Sequence, residues 1–236
     1  MVQFGAVFPC YSNKKATEFV LENFRKHFPE NPIVLISDGG ADFSSLAEKY
    51  SCDYHWRENI FGNDSNRYDK NVYDAYRTLE FYRRHKLACD YCKTEYMMLL
   101  EDDVYIQRPF TIDEPFALKG VRIGGVMPAS LKRDCLEQGG VEVDNYGMCG
   151  GSMYNVEIFL SIYDDIIKDI EENQDRLMAE HSYPGGYKGL GVVDISTVYH
   201  FGKRGHKYQH AEWLSEVRES NHLSYPVIHQ WKQHYS

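Results

Sequence analysis

The sequence contains no long apolar run and no excess of basic residues. No stretch approaches the roughly 20 apolar residues of a membrane-spanning helix, and the N-terminal residues have neither the basic nor the apolar region of a signal peptide. Lysine and arginine number 26 against 35 aspartates and glutamates, so the net charge is −9. A nucleic-acid-binding protein usually needs a basic surface. These absences predict a cytoplasmic protein that has no membrane span and binds no nucleic acid polymer.

Paired cysteine motifs are also missing. Among the six cysteines, Cys89 and Cys92 have the spacing of a zinc knuckle, but no second pair has a similar spacing. Cys135 and Cys149 are 14 positions apart, and no histidine lies at zinc-finger distance from them. We therefore interpret the first spacing as a coincidence and expect reduced thiols, as in a cytosolic compartment.

The composition is that of an ordinary globular protein. Of the 236 residues, 43% are hydrophobic and 26% are charged, which is enough apolar material for a sizeable core. A chain of this length commonly forms one α/β domain, and no repeat or linker divides it. The sequence therefore predicts a single domain over residues 1–236.

Strand and helix patterns alternate along the first part of the chain. Apolar runs predict strands at Val2–Phe8, Ile33–Ile36 and Cys52–Trp56. Helices are predicted to follow Asn13 and Asp42, both of which are residue types that cap helices. This alternation is typical of a Rossmann-like α/β fold, in which helices flank a mostly parallel sheet and ligands bind at the carboxyl ends of the strands.

Two more strands and a long helix are predicted downstream. Tyr96–Leu100 is a strongly apolar strand, and Val121–Val126 is the next candidate strand. Asn155 is predicted to cap a helix whose apolar residues recur at helical spacing.

Three adjacent acids follow the apolar strand that ends near Leu100. The side chains of Glu101, Asp102 and Asp103 repel one another, which raises their pKa values unless a cation neutralises them. Carboxylate oxygens suit a hard divalent ion such as Mg²⁺ or Mn²⁺. The alternative is a solvated acidic turn without a ligand.

Five short segments together have a recognisable order. They are Phe8–Tyr11, Ile36–Gly39, Leu99–Val104, Gly150–Ser152 and Val227–Lys232. In this order they resemble the nucleotide-sugar-dependent glycosyltransferases of the GT-A fold, and the small glycosyltransferase domains of algal viruses are similar. The resemblance covers nearly the whole chain, and it is more specific for the fold than for the sugar.

The resemblance implies a single GT-A domain with a nucleotide-binding half, 1–104, and an acceptor-binding half, 105–236. In this family the acidic segment is a DxD-type motif. The resemblance therefore implies that Asp103 binds the metal, Mn²⁺ or Mg²⁺, and that Glu101 and Asp102 contact the ribose or sugar of the donor.

The C-terminal segment contains an H-x-x-K pattern at His229 and Lys232. By resemblance, the histidine completes the metal shell and the lysine holds the diphosphate of the donor. Neutral imidazole suits Mn²⁺, and an ammonium group suits a phosphate. The alternative is a surface tail, since His222 and His234 nearby have the character of solvated residues.

Donor contacts are also implied near the ends of the first two strands. Pro9, Tyr11 and Asp38 resemble the nucleotide-base pocket of the family, and Arg67 in the polar loop is a candidate partner for the phosphates. Asp38 has an alternative interpretation as the start of an Asp-Gly turn that binds no ligand.

The Gly-Gly-Ser segment is a second implied donor contact. Gly151 and Ser152 match the sugar-contacting segment of the family, although glycines here also permit a sharp bend.

Asp194 is the candidate catalytic base. It falls where inverting relatives keep the acid that takes a proton from the acceptor hydroxyl. The alternative is a helix N-cap, which is a common role of aspartate. Glu180 and Asp144 are weaker candidates for the base.

The leading hypothesis is thus a metal-dependent glycosyltransferase. It would move a sugar from a nucleoside diphosphate sugar, such as a UDP-sugar, to a hydroxyl of a glycan or glycoprotein, with inversion. One alternative is a sugar-nucleotide pyrophosphorylase, but the glycine-rich phosphate loop of that class is missing after the first strand. The other alternative is a non-catalytic carbohydrate-binding module with the same fold.

Overall fold

The computed structural model of the chain describes residues 3–57, 75–121, 125–179 and 190–233. Within these ranges the side chains of residues 75–78, 145–146, 173–179 and 190–195 are not described. The strands are β1 (Phe4–Cys10), β2 (Ile33–Asp38), β3 (Asp53–Arg57), β4 (Tyr96–Leu99), β5 (Tyr105–Ile106), β6 (Leu118–Gly120), β7 (Gly125–Val126), β8 (Asn145–Tyr146), β9 (Met153–Asn155), β10 (Tyr208–His210), β11 (Leu214–Glu216) and β12 (Val227–His229). The helices are α1 (Lys14–His27), α2 (Ser44–Lys49), α3 (Ala75–Cys92), α4 (Ala129–Glu137), α5 (Val156–Ala179) and α6 (Leu190–Lys203).

A seven-stranded sheet forms the centre of the molecule. Its strand order is β10-β6-β9-β4-β1-β2-β3. The pairs β1–β2, β1–β4, β2–β3 and β6–β10 are parallel, and β9 is antiparallel to both of its neighbours. The predicted α/β fold with a mostly parallel, helix-flanked sheet is confirmed.

Helices pack on both faces of the sheet, and this explains why the central strands are apolar throughout. In β4, Met98 faces the core layer that contains α1 and α2, whereas Met97 and Leu99 face the layer that contains α3, α5 and α6. A strand covered by helices on both faces has no polar side, because alternate residues enter opposite layers.

Two asparagines begin the helices as predicted. The side-chain oxygen of Asn13 accepts a hydrogen bond from the backbone N–H of Ala16, and that of Asn155 accepts one from Ile158. Each bond satisfies a backbone donor that the first turn of a helix leaves free. Asp42, the predicted cap of the second helix, is not its N-cap. Phe43 holds that position in α2, and the side chain of Asp42 accepts a hydrogen bond from the backbone N–H of Ser44.

Two predictions about local structure are wrong. The strand predicted at Val121–Val126 is not continuous: β6 ends at Gly120, and β7 belongs to a separate two-stranded sheet with β8. Asp194 is not a helix N-cap, because α6 already includes Leu190 and places Asp194 beyond its first turn. The helix therefore already runs upstream of Asp194.

A second, three-stranded sheet has the order β11-β12-β5. Its strand β12 comes from the C-terminal segment, and β5 follows directly after the acidic segment. This sheet therefore brings two distant parts of the chain together at the edge of the central sheet. Within the described ranges, none of the helices is both long enough and apolar enough to cross a membrane.

Candidate functional site

The acidic segment forms a tight turn at the carboxyl end of β4. Leu100 donates its backbone N–H to Val7 of β1, which continues the central sheet, and the N–H of Val104 then donates to the carbonyl of Glu101. Because Val104 is fully buried, the chain must turn here, and Asp103 becomes buried with it. We call residues 101–103 the acidic turn.

The C-terminal strand lies directly beside the acidic turn. In the antiparallel pair of β12 and β5, Val227 is opposite Ile106 and Ile228 is opposite Tyr105. The pairing continues where the backbone N–H of Trp231 donates to the carbonyl of Asp103 at 2.8 Å. This register places His229 next to the acids.

His229 and Lys232 both reach the acidic turn. The Nε2 atom of His229 lies 3.1 Å from Glu101 Oε2 and 3.5 Å from Asp103 Oδ1. The Nζ atom of Lys232 lies 3.8 Å from Asp103 Oδ2 and is largely exposed. The pattern H-x-x-K is therefore part of this site and not a separate surface tail.

The distances among these groups suit a divalent cation. One ligand atom each from Glu101, Asp103 and His229 lies within 4.8 Å of the others. Neighbouring ligands of an octahedral ion with bonds of about 2.1 Å lie about 3.0 Å apart. Two carboxylates and one imidazole are a suitable donor set for Mn²⁺ and Mg²⁺. Glu101, which the resemblance implied as a donor contact, lies in the position of a metal ligand.

The electrostatics of Asp103 also favour a cation. Burial raises the pKa of Asp103 to about 6, and the charge of Glu101 adds to this rise, against the opposing effects of His229 and Lys232. Its Oδ1 atom is buried and has no hydrogen-bond donor among the described residues. A buried, partly protonated carboxylate of this kind is stabilised as an anion when a metal ion binds.

His229 is surrounded by acidic groups on both sides of its ring. Burial lowers the pKa of the imidazole. This effect on the pKa is outweighed by the negative charge of Cys149 and by hydrogen bonds with Glu101 and Glu216. Together they hold the pKa of His229 well above its ordinary value. In the metal-free protein the His229 ring is therefore more stable in its protonated form, and a metal ion that binds to the ring displaces a proton.

No sequence pattern marked Glu216 or Cys149 as residues of the site. In the parallel pair of β11 and β12, Glu216 is opposite His229, and its Oε1 atom lies 3.7 Å from His229 Nδ1. Cys149 Sγ lies within 4.8 Å of ligand atoms of both residues. The only sequence signal for Glu216 is an acid at the end of a short apolar segment.

The Gly-Gly-Ser turn packs against the acidic turn. The N–H of Gly151 donates to Leu99 at 2.7 Å, and a Cβ atom at Gly150 would lie 2.3 Å from Val104 Cγ2. Gly151 has a positive φ of 93°, which favours glycine. The two glycines therefore permit a sharp bend in close contact with the site.

Ser152 does not face the open side of the site. It is fully buried, and its hydroxyl donates to the carbonyl of Gly147 and accepts from the N–H of Cys149. This position gives no support to the predicted contact between its side chain and the donor sugar.

Pro9, Tyr11 and Asp38 lie at the same edge of the sheet, where β1 and β2 end side by side. Asp38 is buried, and its Oδ1 accepts a hydrogen bond of 2.7 Å from Nε of Arg84 on α3. Its carboxylate is thus committed to an ion pair within the fold. Gly40 packs so closely on Tyr11 that a Cβ atom would lie 2.1 Å from the Tyr11 carbonyl oxygen.

Burial raises the pKa of Cys10 at the end of β1, and the negative charges of Asp38 and Asp102 add to this rise. The charge of Asp102 thus acts at the end of β1, whereas the carboxylate of Asp103 lies beside His229.

The remaining predicted residues are mostly beyond the described part of the chain. Arg67 and Glu180 lie outside the described residues, and so does the side chain of Asp194. Asp144 forms an ion pair of 2.6 Å with Lys132 and is mostly exposed.

Neither a protein-family model nor a curated protein sequence matches the chain. The case for a function therefore depends on the geometry of the site. That geometry can hold one divalent cation between the acidic turn and His229, with an exposed lysine beside it.

Proposed function

We propose that the protein is a metal-dependent glycosyltransferase. It moves a sugar from a nucleoside diphosphate sugar, such as a UDP-sugar, to a hydroxyl of a glycan or glycoprotein. The observation that carries the proposal is the meeting of Glu101 and Asp103 at the end of β4 with His229 and Lys232 from the C-terminal segment.

A diphosphate needs positive charge, and this chain has a net charge of −9. Mn²⁺ or Mg²⁺ held by Glu101, Asp103 and His229 supplies that charge locally and stabilises the leaving nucleoside diphosphate. Lys232 adds a second positive group. Because its side chain is 62% exposed, it is able to turn from Asp103 toward a phosphate.

The location at the edge of the sheet supports nucleotide binding. β1, β2 and β4 are parallel neighbours, so their carboxyl ends meet at one edge, which is where α/β proteins bind ligands. Tyr11 and Asp102 lie at this edge and are the candidate contacts to the base and ribose.

Acceptor activation is assigned to Asp194. As a general base it takes the proton of the acceptor hydroxyl while the oxygen attacks the anomeric carbon from the side opposite the diphosphate. We expect Asp194→Asn to bind the donor normally and to lose transfer. Normal transfer by this variant would assign the base to another residue.

The proposal is tested with a panel of nucleoside diphosphate sugars, with and without Mn²⁺. We expect a thermal shift and release of free nucleoside diphosphate only when Mn²⁺ is present. His229→Ala should lose both. His222→Ala is the matched control, because the contacts described for the His222 ring are with the Glu219 carbonyl and the Trp231 ring and not with the acids.

Other outcomes contradict the proposal. Pyrophosphate formed from a nucleoside triphosphate and a sugar phosphate would indicate a pyrophosphorylase. Stabilisation by sugars without turnover would indicate a binding module, and no response to any nucleotide would overturn nucleotide binding itself.

A further inference from the structure

The Nδ1 side of the His229 ring faces a second group of metal-binding side chains. Ligand atoms of Cys149, Glu216 and His229 all lie within 4.8 Å of one another. The side chains of Glu216 and His229 are 7% and 8% exposed, and Nδ1 of His229 faces Glu216 Oε1 at 3.7 Å. A thiol, a carboxylate and an imidazole this close together in a mostly buried position are suited to bind a metal ion.

Separate parts of the fold hold these three groups in place. Glu216 and His229 are paired across β11 and β12, and Cys149 begins the Gly-Gly-Ser turn. Arg218 contacts the Oε2 atom of Glu216 from the solvent side, so that Oε1 is the atom facing His229. Cys149 is half-buried and therefore accessible to an ion that enters the site.

We propose that Cys149, Glu216 and His229 form a second metal site, which selects Zn²⁺ or another ion that prefers thiolate. Cysteine, histidine and glutamate are the ligand types of zinc, and a thiolate is a poor ligand for Mg²⁺. Tetrahedral zinc bonds of about 2.0–2.2 Å to nitrogen and oxygen place these two ligand atoms about 3.3–3.6 Å apart. The distance of 3.7 Å between Nδ1 and Oε1 is close to that range. On binding, the Cys149 thiol and the Nδ1 atom of the His229 imidazolium would each lose a proton to solvent, and water would fill the fourth position.

The second site excludes the first, because both use the same imidazole. A neutral imidazole has one nitrogen lone pair and one N–H. Zinc on Nδ1 leaves the hydrogen on Nε2. The Nε2–H group then donates to Glu101, and Nε2 has no lone pair with which to bind Mn²⁺. Zn²⁺ would therefore act as an inhibitor. This consequence depends on the proposed function, whereas the second site itself does not.

Titration with Co²⁺ tests the second site, because a cobalt–thiolate bond gives a charge-transfer absorption band that oxygen and nitrogen ligands lack. We expect a band at one equivalent of Co²⁺ in the wild-type protein. Cys149→Ser should abolish the band, and Glu216→Gln should weaken Co²⁺ binding roughly tenfold or more. The matched control Cys52→Ser, at a half-buried cysteine beside β3, should retain the band.

Asp103→Asn separates this inference from the proposed function. We expect this variant to keep the cobalt–thiolate band and to lose Mn²⁺ binding. A wild-type protein without the band, or a band that survives in Cys149→Ser, would overturn the second site. Loss of the band in Asp103→Asn would also overturn it, because the thiolate would then belong to the site at the acidic turn. Absence of nucleotide turnover alongside an intact band would contradict only the glycosyltransferase proposal.

Discussion

Asp103 lies at the buried end of the acidic turn, where its side chain is 12% exposed. Its pKa in the folded, metal-free protein is about 6, above the ordinary value of 3.8. The native state therefore holds a proton over a pH range in which the unfolded chain has released it. Stability from this group is present at low pH and is lost as the pH rises through about 6. The raised pKa of His229 changes stability in the same direction.

We therefore expect Asp103→Asn to stabilise the metal-free protein at pH 8. The gain in the free energy of unfolding should be on the order of 1–3 kcal/mol. It should shrink as the pH falls below 5, because the wild-type carboxyl is then protonated as well. Urea denaturation in the presence of a chelator measures both values. Asp164→Asn, at an exposed position of α5, is the control and should change little. A less stable Asp103→Asn protein at pH 8 would mean that the ion pairs of Asp103 outweigh its burial.

Asp38 and Arg84 form a buried ion pair, with side chains only 6% and 3% exposed. Removing one partner leaves a buried charge without compensation, so Arg84→Met should lower the free energy of unfolding by about 3–5 kcal/mol. Arg83→Met is the control, because Arg83 is largely exposed and its ion pair with Glu80 is worth about 1 kcal/mol or less. Chemical denaturation compares the two. Equal losses would show that the buried pair has no special weight.

The sequence predicted some residues of the site and missed others for a physical reason. Asp103 and His229 have local signals, namely an acid cluster after an apolar strand and an H-x-x-K pattern. Glu216 has almost none, since it reaches His229 only through the pairing of β11 with β12. Asp38 shows the opposite case, because its local pattern did not reveal the ion pair with an arginine 46 positions away.

At the scale of elements, the turn that contains Gly150 supports the acidic turn from one side. A Cβ atom at Gly150 would overlap Val104 Cγ2 at 2.3 Å and approach Glu101 Cβ at 3.1 Å. Gly150→Ala should therefore displace the acidic turn and weaken Mn²⁺ binding roughly tenfold or more, in addition to lowering stability.

Gly139→Ala is the matched control for this prediction. Gly139 has a positive φ of 79° and no atom within 4 Å of a Cβ, so alanine costs about 1 kcal/mol in backbone strain without touching the site. Calorimetric Mn²⁺ titrations distinguish the two variants. Similar Mn²⁺ affinities would mean that the Gly-Gly-Ser turn does not set the position of the acids.

Strands and helices with regular apolar spacing were predicted best. β1, β2, β4 and α1 follow from that spacing and from capping residues, which are local properties of the chain. The segment at Val121–Val126 misled because it contains Val121, Ile123 and Val126, whereas Gly120 already ends β6. The short strands β11 and β12 exist through tertiary pairing, which no local pattern encodes.

At the scale of the whole molecule, the negative net charge of −9 predicts the order in which the proposed ligands bind. A diphosphate meets repulsion from the acidic turn until a cation is present. We expect UDP alone to give little thermal shift, whereas Mn²⁺ at 100 times its dissociation constant should add about 2.7 kcal/mol to the free energy of unfolding. UDP added to the Mn²⁺-loaded protein should give a further increase.

Differential scanning calorimetry of the four combinations measures this coupling. His229→Ala should respond to neither ligand, and His222→Ala should behave as the wild type does. A shift with UDP alone that equals the shift with both ligands would place nucleotide binding away from the cation.

The hydrogen bond between Glu101 and His229 joins residues 128 positions apart. Contacts of such large sequence separation form late, since chain entropy opposes closing the loop before the rest of the fold is in place. The transition state for folding should therefore lack the metal site. Mn²⁺ should lower the unfolding rate by the same factor by which it lowers the equilibrium constant for unfolding, and it should leave the folding rate unchanged. Stopped-flow mixing in urea would measure both rates. The bound ion would then prolong the lifetime of the native state without guiding the chain toward it.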